Sequence, residues 1–385
     1  MLKDSSTTQP FWAKPYFIAI IYIVLALVIS IRELISFPHI DNFIAFRNGF
    51  AHLIEGKNLY GHYYQEYNTL FNYGPTFAAL MSIFWVLPFG LSAVVWNVIM
   101  VLVMFYSIRQ MPIGEKAKTF ILLFSLHELF TAVLNFQTNP AIAGIIILTF
   151  VFLEKEMPFW AAAVLTLGIL TKLYPAIAGA FFLLYRKQFW RFTGSFAFWT
   201  IVWVALPLFF VSPSHLVWLY QEWYSNLLGH SQRVSMTVMG VLTMLSGYPV
   251  SNGVVILPAI LLFLSMYLKY RYFDEIRFKL LFLASMLLFV VIFNPGSESP
   301  TYIIAFVGVA IWLAQIPTWG RIHWVWAILV LILGSLSTTD IVPTYYRRLY
   351  VYDYQLKALP YILTWCWVMY DVWTYRGDLV AEKVG

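Results

Sequence analysis

The sequence predicts an all-α, polytopic integral membrane protein, and three observations carry that prediction. Hydrophobic residues make up 61% of the 385-residue chain and charged residues only 11%, where an ordinary soluble domain is about a quarter charged. The apolar residues fall in long runs, and a helix crosses a bilayer in about 20 residues, so the chain has room for roughly 10 to 13 spans with short loops. Aromatic residues reach 19%, a share that suits membrane interfaces, where Trp and Tyr collect. Together these exclude a soluble globular enzyme, a disordered chain and a disulfide scaffold. The one cysteine, Cys366, lies in an apolar run and has no intrachain partner. No long Lys/Arg run exists, so nucleic acid is not an expected partner.

In chain order, the apolar runs read as spans near 16–35, 91–108, 119–136, 140–153, 157–171, 173–185, 190–211, 253–270, 278–294, 301–316, 323–336 and 359–375. The first is too long for a signal-peptide core and has no small-residue cleavage site after it, so it reads as a signal anchor. A further run, Pro75 to Pro88, is about 14 residues long, which is short for a span. Whether it crosses decides the sidedness of everything after it. Treating it as a helix lying in the outer interface puts about 16 Lys/Arg on the cytoplasmic side and 8 on the other, as the positive-inside rule requires. Counting it as a span would put the Arg186–Arg191 and Lys269–Lys279 clusters outside. The first reading gives about 12 spans, with both termini cytoplasmic.

Three segments on the outer side are then long enough to hold structure: 36–88, 212–252 and 337–357. The first contains an amphipathic helix, Asn42 to Glu55, with Phe43, Phe46, Phe50 and Leu53 on one face and Gly56 as its stop. The runs 140–153, 157–171 and 173–185 are too short to cross a full bilayer alone. Non-helical backbone at membrane depth is tolerated where it lines a cavity, so these short helices suggest a cavity opening outward. No internal repeat or low-complexity segment is visible. The whole chain reads as one membrane domain, with a catalytic module at about 16–211, including the outer loop 36–88, followed by variable helices at about 212–385.

Candidate chemistry gathers on the outer side. Asp41 follows the first span; it is either a general base toward a hydroxyl or the N-cap of the amphipathic helix. Lys172, in Leu170-Thr171-Lys172-Leu173-Tyr174-Pro175, is either a point charge for a lipid phosphate or a snorkelling side chain at a helix end. Gln137 and Asn139 form a polar break that is either a sugar-binding pair or a turn, since Asn-Pro favours turns. Glu128, beside His127, sits mid-span, where a bare carboxylate is expensive; a structural helix–helix hydrogen bond explains it best. Ser299 and Pro300 make a good N-cap and first helical residue, which leaves Glu298 as a second carboxylate for sugar hydroxyls. In His230-Ser231-Gln232-Arg233, Arg233 suits bidentate bonds to a phosphate or contact with headgroups. Tyr60, Tyr63, Tyr64, Tyr67 and Tyr73 crowd the first outer segment as interface anchors, and one or two can stack on a sugar. Tyr345, Tyr346, Arg347 and Arg348 read as headgroup anchors. No metal-ligand spacing, phosphate-cradling Gly loop or GxSxG is present. A nucleotide-sugar donor would need a cytoplasmic catalytic domain, so activated substrates are expected from within the membrane.

These residues, in this order, resemble a known family. Asp41-Asn42-Phe43, Glu55-Gly56-Lys57-Asn58-Leu59-Tyr60, Tyr73-Gly74-Pro75-Thr76-Phe77-Ala78, Leu87-Pro88, Trp96, Gln137-Thr138-Asn139, Lys172-Leu173-Tyr174-Pro175 and Ser231-Gln232-Arg233-Val234-Ser235 look like the membrane glycosyltransferases of the C-type superfamily. The nearest resemblance is to the family-87 polyprenol-phosphate-mannose-dependent mannosyltransferases, over most of residues 37–302. It implies a lipid-phosphate sugar donor, a glycolipid or glycan acceptor, an outward-facing site in a bacterial plasma membrane and inversion at the anomeric carbon. It also implies that Asp41 is the catalytic aspartate, Lys172 the lysine before Tyr-Pro, and Gln137 and Asn139 the Gln-x-Asn pair. The chain departs from the family where Gln232 and Arg233 stand in place of an Asn before the loop serine.

The combined reading is a hexosyltransferase that moves one sugar, mannose or similar, from a polyprenyl phosphate to a hydroxyl. Asp41 is the base, Lys172 and Arg233 hold the donor phosphate, and Gln137, Asn139, Glu298, Tyr60 and His230 bind sugar or acceptor. No cofactor is called for, and a divalent metal stays open. Two other classes compete. A lipid-linked-sugar flippase would show inverted repeats and a midplane site, and neither is visible. A scaffold protein would not need a carboxylate, an amide pair and a lysine on one outer cavity.

Overall fold

A computed structural model describes residues 10–36, 39–229 and 236–377. Helices account for all the regular structure among the described residues. Each of the twelve apolar runs forms helix, but the runs differ in reach. Five helices are long and apolar enough to cross a bilayer: Pro15–Ser36 (α1), Phe89–Arg109, Arg186–Phe209, Asn252–Tyr272 and Arg321–Thr338. A sixth is formed if Glu115–Phe124 and Leu126–Leu134, bent by 46° at their junction, count as one. Of the expected 12 or so spans, five or six are thus formed by helices long and apolar enough to cross a bilayer. Most of the others are short, among them Asn139–Glu154, Pro158–Thr171 and Tyr174–Leu183. The last of these is a 3-10 helix, which is unusually long for that tighter, weaker geometry.

The chain clusters into two compact units. One comprises Ala19–Gln110 and Ala132–Ser231; the other comprises Met1–Ile18, Met111–Thr131 and Gln232–Gly385.

In the first unit, the helices Phe89–Arg109, Asn139–Glu154, Pro158–Thr171 and Phe189–Ala205 pack in succession. Small residues set the approach. A Cβ at Gly144 would lie 3.0 Å from the Val103 carbonyl oxygen, and one at Gly168 would lie 2.8 Å from Ile145. Such close backbone contact is what glycine allows between apolar helices. The amphipathic helix α2 (Asp41–Ile54) lies on this frame with Phe43, Phe46, Phe50 and Leu53 buried. It ends as the sequence predicts: Gly56 has φ of +68°, a left-handed conformation that costs glycine nothing. Its start differs from expectation. The N-cap position is Ile40 and no side chain caps it, so Asp41 is the first helical residue rather than the cap. On the opposite rim of α2, Arg47 donates to the carbonyls of Trp85 and Leu87 at 3.1 and 3.3 Å, which fixes the Pro75–Trp85 segment beneath it. The core here is aromatic: Phe43, Phe46, Phe71, Tyr73, Phe77, Trp96 and Phe136.

In the second unit, Ile276–Ile292 and Tyr302–Ala314 are buried on nearly every side. They meet through Gly308, whose Cβ would lie 3.0 Å from the Ala284 carbonyl. A polar cluster is sealed in this unit. Lys357 Nζ lies 2.8 Å from Glu128 Oε1, with both side chains fully buried. The same ammonium donates to Ser299 Oγ at 3.0 Å and to Thr338 Oγ1 at 3.2 Å. Ser335 donates to the other Glu128 oxygen at 2.8 Å, and His127 Nδ1 is 2.7 Å from that hydroxyl. Glu128 thus makes the expected hydrogen bond between helices, from Ser335, and is paired with Lys357 as well. One expectation is corrected here. Ser299 spends its hydroxyl on this cluster and is not the cap; Glu298 takes the cap position, and its backbone N–H donates to Thr301 Oγ1 at 3.2 Å. Arg347, read as a headgroup anchor, pairs with the exposed Asp340 at 2.9 Å.

Candidate active site

Five consecutive residues, Asn135 to Asn139, organise the candidate site within the first unit. They connect Leu126–Leu134 to Asn139–Glu154, and between them they meet α2, Trp96, Tyr73 and Lys172. Asn135 offers its carbonyl to Asn42 Nδ2 at 2.9 Å, next to Asp41. Phe136 packs its ring 5.9 Å from that of Phe43, and its carbonyl accepts from the Trp96 indole at 3.0 Å. Its φ of +50° is uncommon for a bulky residue, and strain of this kind persists where the surroundings over-determine it. Thr138 Oγ1 is 3.2 Å from the Tyr73 hydroxyl, and Gln137 Oε1 is 3.5 Å from it. Asn139 accepts from Lys172 Nζ at 3.2 Å.

Lys172 ends the Pro158–Thr171 helix in extended backbone. Its ammonium lies 4.4 Å from the Tyr174 ring centre and 5.9 Å from that of Tyr73, distances at which ring faces attract a cation. Partial exposure leaves it reachable. Because Lys172 must be the donor, Asn139 Oδ1 is the acceptor and Nδ2 is left over. That amide donor is buried with no hydrogen-bond acceptor among the described residues. A buried donor without a partner costs about 1–3 kcal/mol, so the position favours any ligand that brings an oxygen.

Tyr73 is placed from two sides. Gly74 N–H donates to the Thr171 carbonyl at 3.3 Å, and a Cβ on Gly74 would fall 2.1 Å from the Leu170 carbonyl oxygen. Only glycine lets the chain run so close to that helix end. Tyr60 donates its hydroxyl to the Tyr73 carbonyl at 3.1 Å, and burial pushes its phenol well above the usual range. Tyr60 thus supports the backbone beneath Tyr73. Tyr73 was read among the interface anchors; its role beside Lys172 was visible in sequence only through the Gly-Pro that follows it.

Asp41 is partly exposed, and among the described residues no hydrogen bond or ion pair engages its carboxylate. It is brought to the Asn135–Asn139 segment by its neighbours, Asn42 and Phe43. Asp41, Gln137, Asn139, Lys172 and Tyr60 therefore all belong to one unit. Glu298 belongs to the other, beside the Lys357 cluster. His230 and Arg233 lie outside the described residues.

Residues 71–295, which are 225 of the 385 in the chain, match the profile of glycosyltransferase family 87. The chain belongs to this family. The matched region takes in Tyr73, Gln137, Asn139 and Lys172, starts after Asp41 and Tyr60, and ends just before Glu298. Comparison with curated proteins finds no matching sequence. Membership makes the chain a glycosyltransferase, and its long apolar helices agree with a membrane enzyme.

Proposed function

We propose that this family-87 enzyme transfers one sugar, mannose or similar, from a polyprenyl-phosphate donor to an acceptor hydroxyl on a glycolipid or glycan. The site faces outward across a plasma membrane, with both termini cytoplasmic. The observation that carries the reading is the Asn135–Asn139 segment. It holds the helix that begins at the partly exposed Asp41, through Asn42 and Phe43, and it supplies a buried amide donor in need of an oxygen next to a reachable lysine beside aromatic faces.

In the proposed step, the acceptor hydroxyl gives its proton to Asp41 as its oxygen attacks the anomeric carbon. The bond from that carbon to the phosphate oxygen breaks, and the electron pair leaves with the lipid phosphate. Configuration inverts, because attack and departure occur on opposite faces. Negative charge grows on the phosphate as the bond breaks. The Lys172 ammonium interacts more strongly with that transition state than with the bound donor, and such differential interaction raises the chemical rate. Asn139 Nδ2 and Gln137 hold sugar hydroxyls.

The test is transfer from radiolabelled polyprenyl-phosphate sugars by purified protein, resolved by thin-layer chromatography, with Asp41→Asn in parallel. Asp41 sits in the first turn of α2 without a cap hydrogen bond, so the substitution should cost no more than about 0.3–1 kcal/mol of helix-dipole interaction. It should lower transfer by about 100- to 10,000-fold, the contribution of a positioned general base, while donor binding survives. Near-normal transfer by the folded variant overturns the assignment.

A further inference from the structure

We infer that Glu222 is a positioning residue of the transfer site: by fixing Asn58 it sets Tyr60, and through Tyr60 it sets Tyr73 beside Lys172. The inference rests on the reading of Lys172 as the cation that meets the donor phosphate.

The need for such a residue comes from the backbone. Between Ile54 and Pro75 the chain forms no helix or strand. No ladder of regular hydrogen bonds places this stretch, so the side chains that hold it decide where it lies. Tyr73 stands near its end. One wall of the stretch is the helix Pro213–Gly229, and the contacts between the two run in register. Thr76 Oγ1 lies 2.9 Å from the Tyr220 hydroxyl. Gly74 faces Trp223, whose ring edge would be 3.3 Å from a Cβ there. Asn72 Oδ1 accepts from Asn226 Nδ2 at 3.2 Å. Every second residue from 72 to 76 thus meets every third residue of the helix. Tyr73, between two of these rungs, turns its hydroxyl to Thr138 and its ring to Lys172.

Glu222 anchors the far end of the stretch to the same helix. Its Oε2 accepts from Asn58 Nδ2 at 2.8 Å. A carboxylate only accepts and a backbone N–H only donates. The Asn58 amide is therefore fixed one way round, with Oδ1 receiving the Tyr60 N–H at 2.9 Å. The Tyr63 hydroxyl closes the same turn on the Asn58 carbonyl at 2.7 Å. Tyr60 in turn donates its hydroxyl to the Tyr73 carbonyl at 3.1 Å. An unbroken run of contacts thus leads from Glu222 to Tyr73, and its first member is charge-assisted, a kind about twice as strong as a neutral hydrogen bond. Glu222 and Asn58 are both partly exposed, where water competes for them, so the bond between them contributes direction more than stability.

The test exchanges donor and acceptor in that first bond. Asn58→Asp sets oxygen against oxygen. Asn58→Asp combined with Glu222→Gln restores a hydrogen bond of the same shape with the roles reversed, and still offers the Tyr60 N–H an acceptor. Single-turnover rates and thermal stability are read on the purified full chain, with radiolabelled polyprenyl-phosphate mannose and a glycolipid extract as acceptor, at pH 8, above the carboxylate range. Asn58→Asp should lower the rate about 10- to 100-fold, up to what a misplacement of about 1 Å causes, at a melting temperature close to that of the wild type. The double variant should recover most of the rate. Introduced into Tyr60→Phe or Lys172→Ala protein, Asn58→Asp should cost nothing further, because the run it breaks is already cut. A wild-type rate in Asn58→Asp overturns the inference. So does a loss that the double variant leaves in place, a loss that tracks a fallen melting temperature, or losses that multiply in either background. A wild-type rate in Lys172→Ala removes the reading of Lys172 instead, and so is distinguishable from failure of the positioning role alone.

Discussion

Lys357 and Lys172 sit in different units and share a style of packing, each with a tyrosine ring beside the ammonium, at 5.3 and 4.4 Å respectively. Their settings otherwise diverge. Lys357 is fully buried and touches a fully buried carboxylate at 2.8 Å, with two hydroxyls completing its shell. Lys172 is partly exposed and donates to a neutral amide oxygen. A buried pair is neutralised within the fold and serves the fold. A partly exposed cation beside an amide is one that an incoming ligand can reach. The contrast teaches that a lysine in an apolar helical protein is assigned by what surrounds it, since both would be flagged alike as ionisable residues in apolar surroundings.

The largest expected effect breaks the structural half of this comparison. Lys357→Met leaves Glu128 as an uncompensated buried charge and should cost about 3–5 kcal/mol of stability. Adding Glu128→Leu should recover most of it, because replacing both members of a buried pair by apolar residues is often neutral. Denaturant or thermal unfolding in detergent measures both, and a double variant as unstable as the single one would mean the pair does more than neutralise itself.

Lys172→Ala tests the other half. It should lower single-turnover transfer by about 100- to 1,000-fold, the usual consequence of removing one electrostatic stabiliser of a transition state. Stability should fall by no more than about 1–3 kcal/mol, because the buried Asn139 Oδ1 loses this donor. Lys172→Arg should restore only part of the rate, since a flat guanidinium is a poor copy of a point charge. Equal rates for wild type and Lys172→Ala at equal stability would make the residue a structural one, like Lys357.

The smallest effect sharpens the geometry. Gly74→Ala places a methyl 2.1 Å from the Leu170 carbonyl oxygen. Such overpacking should cost about 1–3 kcal/mol and move Tyr73 relative to Lys172, lowering transfer while leaving the second unit intact. A fully active, fully stable variant would show that the approach of Tyr73 to the helix end is not needed.

Much of this was legible in the sequence. The apolar runs gave the helices, and the Phe43–Leu53 spacing with Gly56 gave α2 to within a residue or two. Gln137, Asn139 and Lys172 stood out because polar residues break apolar runs there. Span count was not legible, since composition alone does not reveal where a run bends, as at Ser125, or tightens to a 3-10 helix, as after Lys172. The Lys357–Glu128 pair was hidden by a separation of 229 residues. Nothing local marks Lys357 as buried, and only tertiary packing joins it to Glu128. Asp41 was open to a capping role that its side chain does not take.

The left-handed Phe136 ties the candidate site to the heat tolerance of the fold. Glycine would relax that backbone, yet it would delete the fully buried ring packed against Phe43 and loosen the carbonyl tethered to Trp96. Losing such a ring costs about 3–5 kcal/mol, more than the about 1–3 kcal/mol that one strained residue stores. A library at Phe136 scored for heat tolerance and for sugar transfer should therefore lose both together, so that one peptide unit answers to two kinds of selection at once.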